Sequence, residues 1–148
     1  VDFFKQQLKL REIEVVEDLD EHLPAVLADP NRLEQVFVNL LINARDAIEK
    51  KGEQRTQKDE GKRITLKTRA EDGMVTVEVT DTGIGIPKTL LDRIFEPFFT
   101  TKKVGKGTGL GLSISYGIVQ DYDGTIEVES KEGEGATFII RFPRIDEA

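Results

Sequence analysis

The chain has 148 residues, a length that suits one domain with a full core. A net charge of −7 argues against a general binder of nucleic acid or of an anionic membrane, and the absence of cysteine excludes disulfides and thiolate chemistry. Hydrophobic residues at 38%, charged residues at 33% and no apolar run longer than four residues describe a soluble globular protein with no membrane span and no signal peptide. A cytoplasmic, reducing compartment suits this composition, and the start at Val1 suggests a piece of something longer.

In chain order, residues 1–12 read as a linker or the tail of a preceding helix, and 13–148 as one domain. Ile13 to Leu19 is a short β-type run; Ala25 to Ala28 is a second, ended by Asp29-Pro30. Pro30 to Lys50 is the clearest helix. Asp29 can cap it and Pro30 suits its first position. Leu33, Val36, Phe37, Leu40, Leu41, Ala44, Ala47 and Ile48 keep the i, i+3, i+4, i+7 spacing of a buried face. Gly52 marks a stop, and 51–62 is a polar loop. Ile64-Leu66-Thr68 and Val75-Val77-Val79 alternate as half-buried strands around Asp72-Gly73, a hairpin signal. Pro87 to Phe95 is a short helix with Leu90, Leu91 and Ile94 on one side. A further helix opens at Thr108 or Gly109 and runs to about Tyr122, with Leu110, Ile114, Ile118 and Tyr122 in a row. Ile126-Val128 and Phe138-Ile140-Phe142 form a last strand pair around Glu132 to Gly135. Hairpin strands and separated helices predict an α+β fold, a two-layer α/β sandwich; the strict βαβ alternation of a doubly wound sheet is missing.

Several constellations can carry chemistry. Asn39 and Asn43 lie one turn apart on the flank of the apolar stripe, in a row with Gln35, Asp46 and Lys50. Carboxamide oxygens are hard donors that suit Mg²⁺ beside phosphate, although two polar residues at a helix border need no ligand. Asp81 ends a strand before Gly83 and Gly85; its carboxylate can accept from an exocyclic amino group such as adenine offers, or it is simply a strand end with a glycine turn. Gly105, Gly107, Gly109 and Gly111 lead into a helix, where free N–H groups bind phosphate; a hinge is the competing account. Lys102, Lys103 and Lys106 place positive charge there, or form a solvated cluster. Phe95, Phe98 and Phe99 read as packing. Thr137 follows a turn and either faces a base or belongs to a plain hairpin. His22, the one histidine, sits in a loop and reads as structural or exposed, so hydrolytic triads and histidine-rich metal sites have little support.

In order and spacing, Asn39 and Asn43-Ala44, then Asp81, Gly83 and Gly85, then Phe95 and Phe98, then Gly107, Gly109 and Gly111 resemble four boxes: N, G1, F and G2. These belong to the catalytic ATP-binding domain of bacterial two-component sensor histidine kinases, in a superfamily with the ATPase domains of gyrase, Hsp90 and MutL. The resemblance covers about residues 13 to 143 and looks most like the nitrogen-regulatory branch.

The resemblance implies a Bergerat fold: a mixed sheet of about five strands, three helices and a lid over ATP. Asn43 would hold Mg²⁺, with Asn39 supporting it directly or through water. Asp81 would bind the adenine amino group, with Gly83, Gly85 and Ile86 at the base. Gly107, Thr108, Gly109, Leu110, Gly111 and Leu112 would cradle the phosphates. Lys102, beside Thr101, is the best candidate for the γ-phosphate, with Lys103 and Lys106 in reserve; Thr137 falls near the base. The implied reaction is transfer of the γ-phosphoryl group to a histidine on the dimerisation domain of the same kinase, upstream of a response regulator. That histidine lies outside this chain, because His22 matches neither its context nor its position.

Two alternatives stand beside this reading: a hydrolytic ATPase of the gyrase type and a non-catalytic nucleotide-sensing module. The hydrolytic relatives place a glutamate base where this chain has Asn39, which cannot take a proton from water. Many kinases of the family also carry a basic residue at the position of Asp46, so Lys50 or the later lysines would have to supply that charge.

Overall fold

The computed structural model describes residues 2–20, 26, 28–54, 61–96 and 111–144. Helix α1 (Asp2–Leu10) leads into strand β1 (Glu14–Asp18), followed by the long helix α2 (Pro30–Gln54). Strands β2 (Arg63–Glu71) and β3 (Met74–Asp81), helix α3 (Gly111–Asp121) and strands β4 (Thr125–Lys131) and β5 (Gly135–Pro143) complete the order. The strands form one mixed sheet, β1-β2-β3-β5-β4, in which β1 runs parallel to β2 and the other pairs are antiparallel. This is the α+β two-layer arrangement that the alternation pattern predicts.

Local chemistry explains the main elements. Asp29 caps α2 by accepting the Asn31 N–H at 2.9 Å. From there the apolar stripe Val36, Leu40, Leu41, Ala44 and Ile48 is buried against Ile64, Val79, Phe138 and Ile140 of the sheet. Leu8 of α1 and Ile13 enter the same core, so residues of the first helix pack against the domain. The β2–β3 hairpin closes through Asp72 and Gly73, whose φ values of 51° and 76° are those of a type I′ turn.

Four expectations are corrected. Helix α2 does not stop at Gly52 but continues to Gln54, because Gly52 does not take the positive φ of a helix-ending glycine. The Ala25 to Ala28 run is not a described strand: Val26 makes an isolated bridge to Arg144, Ala28 is a bend, and residues 25 and 27 lie outside the described residues. Pro87 to Phe95 is a short 3-10 turn, Lys88–Leu90, followed by further turns. It is held by i to i+3 bonds such as Leu90 N–H to the Pro87 carbonyl, and only Ile94 is fully anchored in the core. On α3 the buried positions are Ser115, Ile118 and Val119, whereas Ile114 is 40% exposed. The described part of α3 begins at Gly111; Thr108, Gly109 and Leu110 lie outside the described residues.

Candidate functional site

Asp81 ends β3 on the face that packs against the helices and is only 4% exposed. Its Oδ1 accepts the Gly83 N–H at 2.8 Å. Burial pushes its carboxyl up from 3.8 to about 6, opposed by hydrogen bonds from the Gly83 and Ala136 N–H groups and by the charge of Lys51. Lys51 was not singled out from the sequence, which pointed to its neighbour Lys50 one position earlier on α2. Both side chains are half-buried.

The loop after Asp81 is bonded on two sides. Ile84 N–H donates to the Ala47 carbonyl of α2 at 3.0 Å, and Ile86 N–H donates to Ser130 Oγ at 2.8 Å. Glycine is required at position 83, where a Cβ would lie 2.6 Å from both the carbonyl carbon and the Cβ of Ala47. Gly85 takes φ +75° with its missing side chain directed at the Lys131 carbonyl, so it seats the loop on the β4–β5 hairpin. The two glycines thus pack this loop beside Asp81, against α2 and the β4–β5 hairpin. Ser130 supports it and carries no motif that would have found it in the sequence.

On α2, Asn39 and Asn43 are half-buried one turn apart, as the helical period requires. Asn39 Nδ2 donates to the Gly111 carbonyl and to Ser115 Oγ, each at 3.2 Å, linking α2 to the first turn of α3. Gly111 is exposed, and Leu112 packs partly into the core. Asp46 lies beside Arg45, whose guanidinium reaches it at 3.2 Å and extends to Glu49 at 3.7 Å. Arg45 thus engages the carboxylates of Asp46 and Glu49 on its own helix. Phe95 packs edge-on to Phe138 at 6.4 Å and lies 5.3 Å from Tyr116, which agrees with its reading as packing.

Thr137 is not on the Asp81 side of the sheet. It pairs with Thr80, and the two hydroxyls sit 3.0 Å apart on the opposite face. Side chains alternate along β5, so it is Ala136, the partner of Asp81, that faces the helices. An open depression of ≈ 390 Å³ lies along Thr80, Asp81, Thr137 and the β4–β5 hairpin, and no residue of α2 lines it. Thr101, Lys102, Lys103, Gly105, Lys106, Gly107, Thr108, Gly109 and Leu110, together with Phe98, Phe99 and His22, lie outside the described residues.

Comparison with known proteins gives the family and the fold. Residues 28–146 match the family described as histidine kinase-, DNA gyrase B-, and HSP90-like ATPase. The chain is 45% identical to the sensor kinase CckA of Brucella abortus (strain 2308), over 93% of this chain and 15% of CckA. It is 42% identical to the sensor histidine kinase ZraS of Escherichia coli (strain K12), over 93% of this chain and 27% of ZraS. It therefore spans well under a third of these curated relatives. Among solved structures, the nucleotide-free catalytic domain of the histidine kinase ThkA superposes with a TM-score of 0.78 at 34% identity, covering 97% of this chain and 86% of that one. Full-length ShkA in complex with AMPPNP gives 0.81 at 30% identity, covering 99% of this chain and 29% of that one. Among the described residues no helix is long and apolar enough to cross a membrane. Sequence, topology and relatives agree: the chain belongs to the histidine kinase-, DNA gyrase B-, and HSP90-like ATPase family.

Proposed function

We propose that this chain is the catalytic domain of a two-component sensor histidine kinase. It binds ATP with Mg²⁺ and directs the γ-phosphoryl group to a histidine on a separate dimerisation domain of the same protein. The observation that carries the reading is Asp81, a buried carboxylate held by backbone N–H groups on the helix side of the sheet. Its remaining acceptor capacity suits the exocyclic amino group of adenine. The floor formed by Gly83, Gly85 and Ile86 keeps the base close to the backbone.

Asn39 and Asn43 are the groups that would hold the metal. Among the described residues, no three His, Cys, Asp or Glu side chains gather into a metal cluster, so a cage of protein carboxylates is not formed there. Two carboxamides suit an ion shared with phosphate oxygens. Asn39 fits because its Nδ2 is committed to Gly111 and Ser115, which leaves Oδ1 as the acceptor. When bound, Mg²⁺ supplies neutralisation of the phosphate charge. Gly111 and Leu112 stand at the phosphate end. Lys50, Thr101, Lys102, Lys103, Lys106, Gly107, Thr108, Gly109 and Leu110 enter this reading through the sequence resemblance, with Lys102 as the group for the γ-phosphate. Thr137 stays in the site only as part of the base-side hairpin.

A carboxamide at position 39 separates this reading from hydrolysis. Asn39 has no proton-accepting carboxylate for water, whereas an imidazole acceptor is itself a nucleophile and needs less activation. The domain would act on the cytoplasmic side, where ATP and a response regulator meet it. Mixing the chain with its histidine-bearing domain and γ-labelled ATP tests the proposal. Acid-labile, base-stable label on that domain is the expected result. Sustained phosphate release by the isolated chain with no label transfer would refute it in favour of a hydrolytic ATPase.

A further inference from the structure

We propose that Ser115 is a positioning residue for nucleotide binding, acting through Asn39; the inference rests on the nucleotide site proposed above. Ser115 is 0% exposed and sits on the buried stripe of α3 beside Leu112, Ile118 and Val119. An apolar residue there would continue the stripe, so a hydroxyl needs partners to be buried without penalty. It has two. Its Oγ donates to the Gly111 carbonyl at 2.8 Å and accepts from Asn39 Nδ2 at 3.2 Å.

A serine that bonds back to the carbonyl four residues earlier is ordinary in a helix. The arrangement here adds a side chain from another element. Asn39 Nδ2 reaches both ends of that bond, Ser115 Oγ and the Gly111 carbonyl, so three polar groups close a small network between α2 and α3. Two contacts on one amide nitrogen fix both side-chain torsions of Asn39 and thereby set where Oδ1 is presented. The same network holds the first turn of α3 against α2. Ser115 therefore acts on the nucleotide site through Asn39 without itself touching the nucleotide.

The test has two arms. In the first, the side-chain Nδ2 resonances of Asn39 are followed by NMR in nucleotide-free wild type, Ser115→Ala and Ser115→Cys. The cysteine is nearly isosteric, hydrogen-bonds weakly and keeps the core filled should alanine not fold. Both variants should shift the Asn39 amide while core methyl resonances stay in place; an unmoved amide overturns the proposal.

In the second arm, calorimetry measures affinity for ATP with Mg²⁺. Loss of one hydrogen bond in the network predicts about a fivefold weaker affinity for either Ser115 variant. In an Asn39→Ala background the Ser115 substitution should have no further effect, because the group it acts through is gone. A fivefold loss that persists in that background would mark a general structural role and overturn the proposal, as would no loss at all. If the wild type itself fails to bind ATP, the nucleotide reading falls, and the resonances still decide the Asn39–Ser115 contact.

Discussion

Replacing Asp81 with asparagine separates the stability of the fold from its ligand site. The buried carboxyl has its pKa raised by desolvation from 3.8 to about 6. A raised value means that the folded state favours the protonated form. The associated stabilisation is complete below pH 3.8 and is lost as pH rises through about 6. At about 1.4 kcal/mol per pH unit, the ionised form costs the folded state up to about 3 kcal/mol, of which about 2 kcal/mol accrues between pH 4.5 and 7.5. The carboxamide of Asp81→Asn would keep an oxygen for the Gly83 N–H, which approaches at 2.8 Å, and would carry no charge. Urea unfolding of wild type and Asp81→Asn at pH 4.5 and 7.5 checks this. The variant should gain stability relative to wild type as pH rises, by about 2 kcal/mol over that window. Parallel pH profiles for the two proteins would refute the burial argument. A site that is more stable without its functional group is the expected trade between stability and binding.

The same substitution should weaken ATP binding by about tenfold or more while leaving any weak GTP binding unchanged, since a carboxylate is the acceptor for the adenine amino group; equal loss for both nucleotides would remove the adenine assignment. Asn43→Ala should abolish the part of ATP affinity that depends on Mg²⁺, measured by calorimetry with and without the ion. Gly83→Ala forces a Cβ to 2.6 Å from the backbone of Ala47, so it should destabilise the domain by about 1–3 kcal/mol in urea and detach the loop that supports the base. Leu40→Ala, at a fully buried position, should cost about 2–5 kcal/mol with little change in the nucleotide affinity of the fraction that remains folded.

The long helix was readable because its evidence is local. A cap at Asp29, a proline at the first position and a stripe from Leu33 to Ile48 all report the same period. The hairpin at Asp72-Gly73 was equally local, since two positive φ values select those residues. The end of α2 was missed by a few residues because Gly52 permits a stop without enforcing one. The row on α3 was misread because Ile114 looks apolar and Ser115 looks polar, whereas contact with α2 buries the serine and leaves the isoleucine 40% exposed. A polar residue three positions from Leu112 and Ile118 was the available signal, and only a facing amide gives it meaning.

From the sequence by itself come the long helix, the two hairpins, the α+β class, the carboxamide pair on one helical face and the order of the motifs. These depend on periodicity and turn chemistry within short windows. Only the tertiary structure decides which face of β5 carries Thr137, because one residue of register separates the helix side from the open side. It also decides the protonation of Asp81, which follows from burial beneath elements distant in the chain, and the joining of Asn39 to Ser115 across 76 positions. Burial and contact between remote segments are sums over the whole packed domain, and no short window of residues contains them.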